Sequence, residues 1–570
     1  MTKLLLFFIG LSVSVGTYSQ IANRFDIVIT EIMADPTPQV GLPNAEYLEL
    51  KNISSTPFNL SGWRISDASG TATITTNFVL QPDSVVILCS NSNVATFSAF
   101  GRAIGVTSFP SLDNDGDQLT LRSPQNKVIH AIVYTTEWYA NEAKKDGGWS
   151  LEMIDPKNPC SGKQNWKASA NNLGGTPGKI NSVNGNNIDQ TPPQLQRAYA
   201  LDSVTVVLVF DEFLDSTSAS AALNYSANGL TIIGANAIAP LFNTVQIKFS
   251  SPLQRTIVYN LTASNVTDCK GNAIGSFNKT KIGLADDALA NHVIINEILF
   301  NPRTGAYDYV ELYNRSNRIV DASKLYVANR NSSGVVSSLK KLSEQSFYLF
   351  PGEYIVVTED AINLEMQYHV KNRDGVLTVS SLPSFPDDKG TVVVLNLNGD
   401  RVDELSYDDD WHFALIANKD GVALERIDPD APSQNKSNWH SAATTAGYGT
   451  PTYVNSQYRK IDAVDAAITL STKIFSPDHD GLDDVLIMQY GVKEIGYVAN
   501  VTIFDASGRM VRYLVKNDLL GLKGSWTWDG LDEKKAKLPI GTYILHTEIF
   551  NLQGKREQFR NTVVLARKLN

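Results

Sequence analysis

Five sequence blocks occur twice in this chain, in the same order. DIVITEIMADP, from Asp26, returns as HVIINEILFNP from His292, and AEYLELKN, around Glu49, returns as YDYVELYN around Glu311. WSLEMIDP, with Glu152, returns as VALERIDP, with Glu425. Asn165-Trp166 matches Asn438-Trp439, and GGTPGKINS, with Thr176, matches YGTPTYVNS, with Thr450. Chance does not keep five blocks in order, so one module has been duplicated, and insertions between the blocks fall in loops. The fold of this chain must therefore be one that a single chain builds twice. At 570 residues it also exceeds one hydrophobic core and suggests about three to five domains.

The repeated module reads as β. IVITEIM, YLELKN, SVVILCS, QLTLRS and VIHAIVY in the first copy are short runs rich in β-branched and aromatic residues, separated by Gly, Pro, Asn and Asp turns. YIVVTED, TVVVLNL and RVDELSY continue the pattern in the second. Helical periodicity is confined to a short stretch around Ala361–Tyr368. Between the copies, Asn181–Pro193 (NSVNGNNIDQTPP) reads as a flexible linker. SVTVVLVFDEFLD, TVQIKFSS and TIVYNLTASNVTDCKGNAI then give a further all-β unit. The expected fold class is all-β, with four tandem immunoglobulin-like β-sandwich domains.

Three resemblances refine this reading. The I-x-E-I start, Y-(L/V)-E-L, the Gly116–Leu121 hairpin and the closing L-E-x-I-D-P, N-W and G-T-P blocks resemble the lamin-tail domain of secreted bacterial proteins, over residues 20–182 and 290–456. The second copy departs from that pattern at Gly390–Leu395 and at Thr452, which stands where the first has Gly178. Residues 190–284 resemble bacterial Ig-like domains through Asp211–Phe213 (DEF) and Asp268–Asn272 (DCKGN). Residues 463–570 carry FSPDHDGLDD, DASGRMV, WDG and PIGTY. These resemble the C-terminal Ig-like modules of Bacteroidetes secreted proteins, which relate to the flagellar-hook-capping type. The lamin-tail resemblance implies an accessory or adhesive sandwich without chemistry of its own. The C-terminal one implies a recognition signal for type IX secretion.

The amino terminus points the same way. Lys3, the apolar stretch Leu4–Gly16 and small residues at Thr17 and Ser19 read as a signal peptide spanning 1–19. No later run reaches the roughly 18 apolar residues of a membrane helix. A net charge of −10 argues against nucleic acid or anionic lipid as partners. The expected partners are outer-membrane or surface proteins, a secretion translocon among them. Three cysteines cannot form a disulfide framework. Cys89 lies in an apolar run and reads as a buried thiol. Cys160 and Cys269 lie in turn-rich sequence at the ends of adjacent domains. We expect them to pair in an oxidising compartment, although spacing alone does not fix the connectivity.

Candidate chemistry is sparse. The seven histidines are scattered, with no H-E-x-x-H pair, and no G-x-S-x-G elbow, P-loop or dinucleotide fingerprint appears. The expectation is a non-enzyme with no catalytic residues. Glu31 with Glu49, and Glu297 with Glu311, could serve as acid/base pairs on neighbouring strands. The plainer expectation is that these carboxylates cap turns or face solvent. Asp113, Asp115 and Asp117 have 1-3-5 spacing, but Pro124 at position 12 excludes an EF-hand and leaves a polar hairpin turn. Asp478, Asp480, Asp483 and Asp484 are denser. Calcium would relieve their mutual repulsion, and Asx turns would account for the same letters. The tryptophans, Trp63, Trp138, Trp411, Trp526 and Trp528 among them, are either core plugs or a carbohydrate-stacking platform. Two functions follow: a structural or adhesive surface protein, and an accessory binding subunit of a surface enzyme, uptake or secretion complex.

Overall fold

The structure, a computed structural model, describes residues 21–413, 416, 418–458, 467–477 and 485–567. Residues 1–19, read from the sequence as a signal peptide, and the acidic residues Asp478, Asp480, Asp483 and Asp484 lie outside the described residues. The architecture is all-β. Among the described residues the longest helix is Ala361–Gln367, whose Asp360 side chain caps it by accepting from the Asn363 amide. No described helix is long and apolar enough to cross a membrane.

The first copy is built around β1 (Ile27–Met33), flanked by β2 (Tyr47–Asn52) and β3 (Leu151–Met153). The second copy repeats this with β4 (Val293–Leu299), β5 (Tyr309–Asn314) and β6 (Leu424–Arg426). In the first copy, the six-stranded sheet runs Trp166–Ala168, β3, β1, β2, Val85–Ser90, Ala103–Val106. The second runs Trp439–Ser441, β6, β4, β5, Tyr354–Thr358, Val376–Thr378. All neighbours are antiparallel except the last pair, which is parallel in both. A four-stranded sheet closes each sandwich: Val128–Thr135, Gly116–Arg122, Arg64–Ser66, Thr71–Thr73 in one, and Arg401–Asp408, Lys389–Asn396, Leu325–Arg330, Val336–Lys341 in the other. The two sheets of the first copy share one core, in which Ile27, Ile29 and Leu50 meet Ile65, Leu119 and Leu121. Each such aliphatic side chain contributes about 1.5–3 kcal/mol when fully buried.

One irregularity sets the position of everything polar. Strict alternation along IVITEIM would put Ile27, Ile29 and Glu31 on the same face. The pairing of β1 with β2 instead slips between Ile29 and Glu31, and that of β4 with β5 slips between Ile295 and Glu297. The extra residue, Thr30 or Asn296, makes a β-bulge that reverses the parity of the rest of the strand. Ile27, Ile29 and Ile32 therefore enter the core, while Glu31 and Met33 turn to the opposite face.

The chain divides into two compact units. The first holds the strands of the first copy together with Val204–Pro252 and Asn260–Lys281. There Thr205–Phe210, Thr244–Phe249 and Ile232–Ala237 form an antiparallel sheet. The second unit holds the second copy and a C-terminal sandwich. That sandwich pairs a three-stranded sheet (Ala467–Leu470, Leu486–Gly491, Lys523–Trp528) with a five-stranded one that runs through Tyr497–Asp505, Gly541–Asn551 and Arg556–Leu565. Its core is centred on Trp528, which packs against Phe475 and Tyr543.

Within the first unit Cys160 is bonded to Cys269, with Cα atoms 6.4 Å apart across 109 residues of chain. Around this bond the Lys270 ammonium donates to the Lys157 carbonyl (2.8 Å), and the Asn272 amide donates to the Asp189 carbonyl (3.2 Å). Cross-linking so long a loop restricts the unfolded chain, so replacing both cysteines by serine is expected to lower the stability of this unit by about 2–5 kcal/mol. Denaturant unfolding of the oxidised protein beside the double variant measures the difference.

Candidate functional site

The bulge brings three carboxyl groups side by side in each copy. Glu31 stands opposite both Glu49 and Glu152, and Glu297 stands opposite both Glu311 and Glu425. All six are 0–1 % exposed. They do not face solvent, which corrects one half of the plainer sequence expectation. The other half, capping of a turn, holds for Glu31 and Glu49, which accept from the Thr176 and Gly178 amides of the turn closed by Lys179. They lie beneath the G-T-P segment, which folds across the outer face of the sheet.

The donors come from the repeated blocks themselves. In the first copy, Glu31 Oε1 accepts from the Tyr47 hydroxyl (2.6 Å), the Ser150 hydroxyl (2.6 Å) and the Thr176 amide (2.7 Å). Glu49 accepts from the Thr30 hydroxyl and the Gly178 amide, both at 2.8 Å. Glu152 accepts from the hydroxyls of Thr176 (2.9 Å) and Ser182 (2.7 Å) and from the Val183 amide (3.1 Å). In the second copy, Tyr309 and the Thr450 amide donate to Glu297, while Asn296 and the Thr452 amide donate to Glu311. Thr450, Ser456 and the Gln457 amide donate to Glu425. Asn181 and Asn455 complete the scheme, each satisfying the carbonyl of the bulged residue and that of the residue after the third glutamate. The Asn-Trp asparagines, Asn165 and Asn438, hold the I-D-P turn through the amides and carbonyls of Asp155 and Asp428.

Burial disfavours the charged form of these acids. Burial, followed by the charge of Glu152, pushes Glu31 up to about 7. Burial and then Glu31 push Glu49 up to about 8. In the second copy burial raises Glu297, and burial followed by Glu297 holds Glu311 well above its ordinary value. The same two causes push Glu425 up to about 8. Raised carboxyl groups on adjacent strands are the raw material of acid/base catalysis. Here, however, the Thr-Pro segment occupies the space over them, and a Cβ at Gly175 would meet the Tyr47 hydroxyl at 2.6 Å and Glu31 at 2.7 Å. The arrangement clamps a backbone segment instead of opening onto a substrate.

The two copies support the bulge differently. The Ile29 amide donates to His130 Nδ1 (3.0 Å), so the imidazole proton sits on Nε2, facing the Pro159 carbonyl (3.3 Å). Burial lowers His130 to about 4 and keeps it neutral. In the second copy the Ile295 amide donates to Asp403 (2.8 Å), which pairs with the fully buried Arg426 at 3.2 Å.

Other sequence candidates fall into place singly. Asp113 and Gly116 close a hairpin turn through an amide-to-carbonyl bond of 3.2 Å. Cys89 is buried and free, and burial pushes its thiol up to about 11, which leaves it a poor nucleophile. The eight tryptophans are buried or pack against a core. Sequence reading missed a group of acids in the first unit. Asp189, Glu212 and Asp268 bring ligand oxygens within 4.8 Å of one another, close enough for a cation. Burial, then Asp268 and Asp189, push Glu212 up to about 8. The only sequence signal was DEF and DCKGN, with nothing to show that they converge with the linker. Asp408, Asp409 and Asp410 form a second such group, in which Asp409 pairs with Lys419 at 2.6 Å.

Comparison with known proteins adds one family. The lamin tail domain model matches residues 20–136, a stretch that includes Glu31 and Glu49 and ends before Glu152. No curated protein matches the chain. Among solved structures, the N-terminal part of the bacterial S-layer protein SbsC is 13% identical, with a TM-score of 0.16. The match covers 29% of this chain and 40% of that one, so the chain spans well under half of its length. A DUF4876 family protein from Bacteroides thetaiotaomicron VPI-5482 is 12% identical over 40% of this chain and 86% of its own, with a TM-score of 0.18. Dimeric latent PorU from Porphyromonas gingivalis is 10% identical over 79% and 40%, with a TM-score of 0.15.

The clamp can be tested at its hub. Thr450→Val keeps the shape but removes the hydroxyl shared by Glu297 and Glu425, and is expected to cost about 1–3 kcal/mol. Thr450→Ser, which restores the hydroxyl, should lie within about 1 kcal/mol of the parent. Chemical denaturation of the three proteins side by side reads both values.

Proposed function

We propose that this chain is a non-enzymatic structural or adhesive protein of the bacterial cell surface, whose sandwiches serve as rigid spacers and contact surfaces. The observation that carries this reading is the fate of the repeated polar residues. A duplication that preserved a catalytic or ligand site would keep those groups facing a cleft. Here the residues that recur in both copies donate to and accept from one another beneath a sealed segment, so what recurs is a way of closing a sandwich. The burial or core packing of the tryptophans supports a spacer over a carbohydrate-stacking platform. The disulfide and its surrounding hydrogen bonds suit a chain that works in an oxidising exterior.

Placement outside the cell is assigned to the C-terminal sandwich, through a secretion route of the type IX kind and a translocon or outer-membrane partner. Its five-stranded sheet ends in the strand Met510–Leu519, where Glu533 covers the backbone at Val511 and Tyr513 and leaves the exposed Met510 and Tyr513 side chains as a contact surface for a partner. Deleting Ala463–Asn570 should then leave protein in the periplasm. The deletion also uncovers Phe413, which packs with Val498 and Leu519 of that sandwich, so a second arm is needed. Residues 458–570 fused behind an export signal and a soluble reporter should carry the reporter to the surface of the native host. Protease shaving of intact cells reads both arms. Normal surface levels of the truncated chain, with a reporter that stays inside, would assign the C-terminal sandwich to docking or spacing alone.

A further inference from the structure

The hydrogen bonding of the second copy cannot be satisfied by three carboxylates. Thr450 Oγ1 lies 2.5 Å from Glu297 Oε2 and 2.9 Å from Glu425 Oε1. A hydroxyl has one proton to donate and lone pairs to accept with. If it donates to one carboxyl group, the other must carry a proton and donate to it. In the first copy, Glu31 Oε2 is buried without a partner, a position that a carboxyl proton directed at a neighbouring acid would fill. Three bare charges on adjacent strands, sealed from water, would also carry a desolvation cost that neutral hydroxyl and amide donors do not offset.

The groups facing the triads offer little countercharge. In the first copy Lys51 acts weakly on Glu49, but its ammonium pairs with Asp83 at 2.6 Å. Tyr47 faces Glu31, and Lys179 on the covering segment is exposed. In the second copy Tyr313 replaces Lys51, and the surrounding titratable groups include the phenols of Tyr309, Tyr354, Tyr368 and Tyr453. Arg303 lies over the Tyr368 ring, 5.4 Å from its centroid, and donates to the Gln367 side chain.

We infer that each triad is a proton-held latch: with its protons it clamps the closing segment to the sheet, and losing them at alkaline pH releases that segment. In the second copy the release reaches further. Gln457 Nε2 donates to the Leu520 carbonyl (3.4 Å), and the Ser456 carbonyl accepts from the Leu522 amide (3.3 Å). The segment clamped by Glu425 is thus also the one that holds the C-terminal sandwich.

The direction of the pH effect follows from linkage. The folded-state values lie above the ordinary 4.5, near 7 for Glu31 and near 8 for Glu49 and Glu425. Their contribution to stability is therefore complete below 4.5 and is lost as pH rises through about 7–8. The full chain and its Glu311→Gln and Glu297→Gln/Glu311→Gln/Glu425→Gln variants should be compared by calorimetry at pH 5 and pH 9. The second-copy transition of the parent is expected to fall by several degrees at pH 9, and glutamine, a neutral mimic of the acid, to reduce the fall. Equal falls in the parent and the variants, or no fall in the parent, would overturn the latch. If the triple variant fails to fold, infrared spectroscopy of the parent and of Glu311→Gln decides. The parent should show the carbonyl band of un-ionised carboxylic acid at pH 7, weaker in Glu311→Gln and gone at high pH. A parent without that band at pH 7 would likewise overturn it.

Discussion

The structure of each repeated module depends on one backbone event, the bulge at Thr30 and Asn296. Without it, Glu31 and Glu297 would point into the hydrocarbon core between the two sheets, where a carboxyl group finds no donors. With it, the aliphatic residues on either side still fill the core, and the glutamate is delivered to the other face. The bulged backbone then has groups that the sheet ladder cannot satisfy. The amide of the preceding isoleucine goes to His130 or Asp403, and the carbonyl of the bulged residue goes to Asn181 or Asn455. The bulge, the glutamates and the closing segment are therefore a single construction, in which no part is satisfied without the others.

This construction explains which differences the two copies tolerate. Its inner members are the same: three glutamates, the tyrosine, the threonine, and the Asn-Ser pair. Its supports have been exchanged as sets. Where the first copy has His130 and Met153, the second has Asp403 and Arg426, a neutral ring replaced by a buried ion pair around the same amide. A single half of that exchange would leave an uncompensated charge, so the two positions must change together. Gly178 and Thr452 show the same logic in the backbone. Both are left-handed, at φ 77° and 71°. In the first copy a Cβ here would meet the Gly101 Cα at 2.6 Å, so glycine is required. In the second copy threonine adopts the strained conformation, and its hydroxyl accepts from the Asn372 amide at 2.8 Å, an interaction glycine cannot make.

Much of the fold was legible in the sequence, because strands, turns and duplication leave periodic or repeated letters. The short helix at Ala361–Gln367 was visible as well. The bulge was not, since one extra residue in IVITEIM leaves the run looking like an uninterrupted buried strand. That single omission accounts for the misreading of the carboxylates. On an unbroken alternating strand Glu31 would share the core face with Ile27 and Ile29, so solvent or a turn is the reading that avoids burying a carboxyl group there. Only the slipped register shows a third choice, a buried polar layer on the outer face. The partners of Glu31 are also distant in sequence. Thr176 lies at the far end of the module, and nothing local to either residue announces the contact. The repeat did hold this information in another form, because G-T-P-x-x-x-N-S occurs at 175–182 and 449–456, once in each copy that carries the glutamates.

A buried carboxyl cluster can carry the outward marks of a catalytic one. Raised carboxyl groups, shared hydroxyls and adjacent strands would satisfy a search for a catalytic pair. The discriminating feature is where the lone pairs point. In a hydrolase, at least one carboxyl oxygen must reach substrate or water across an open face. In both copies here the carboxyl groups are buried beneath the covering segment, and that segment contributes backbone amides, which cannot be withdrawn without unfolding the end of the module. Perturbed acids placed in this way hold the module shut, because each is buried against the segment that closes it.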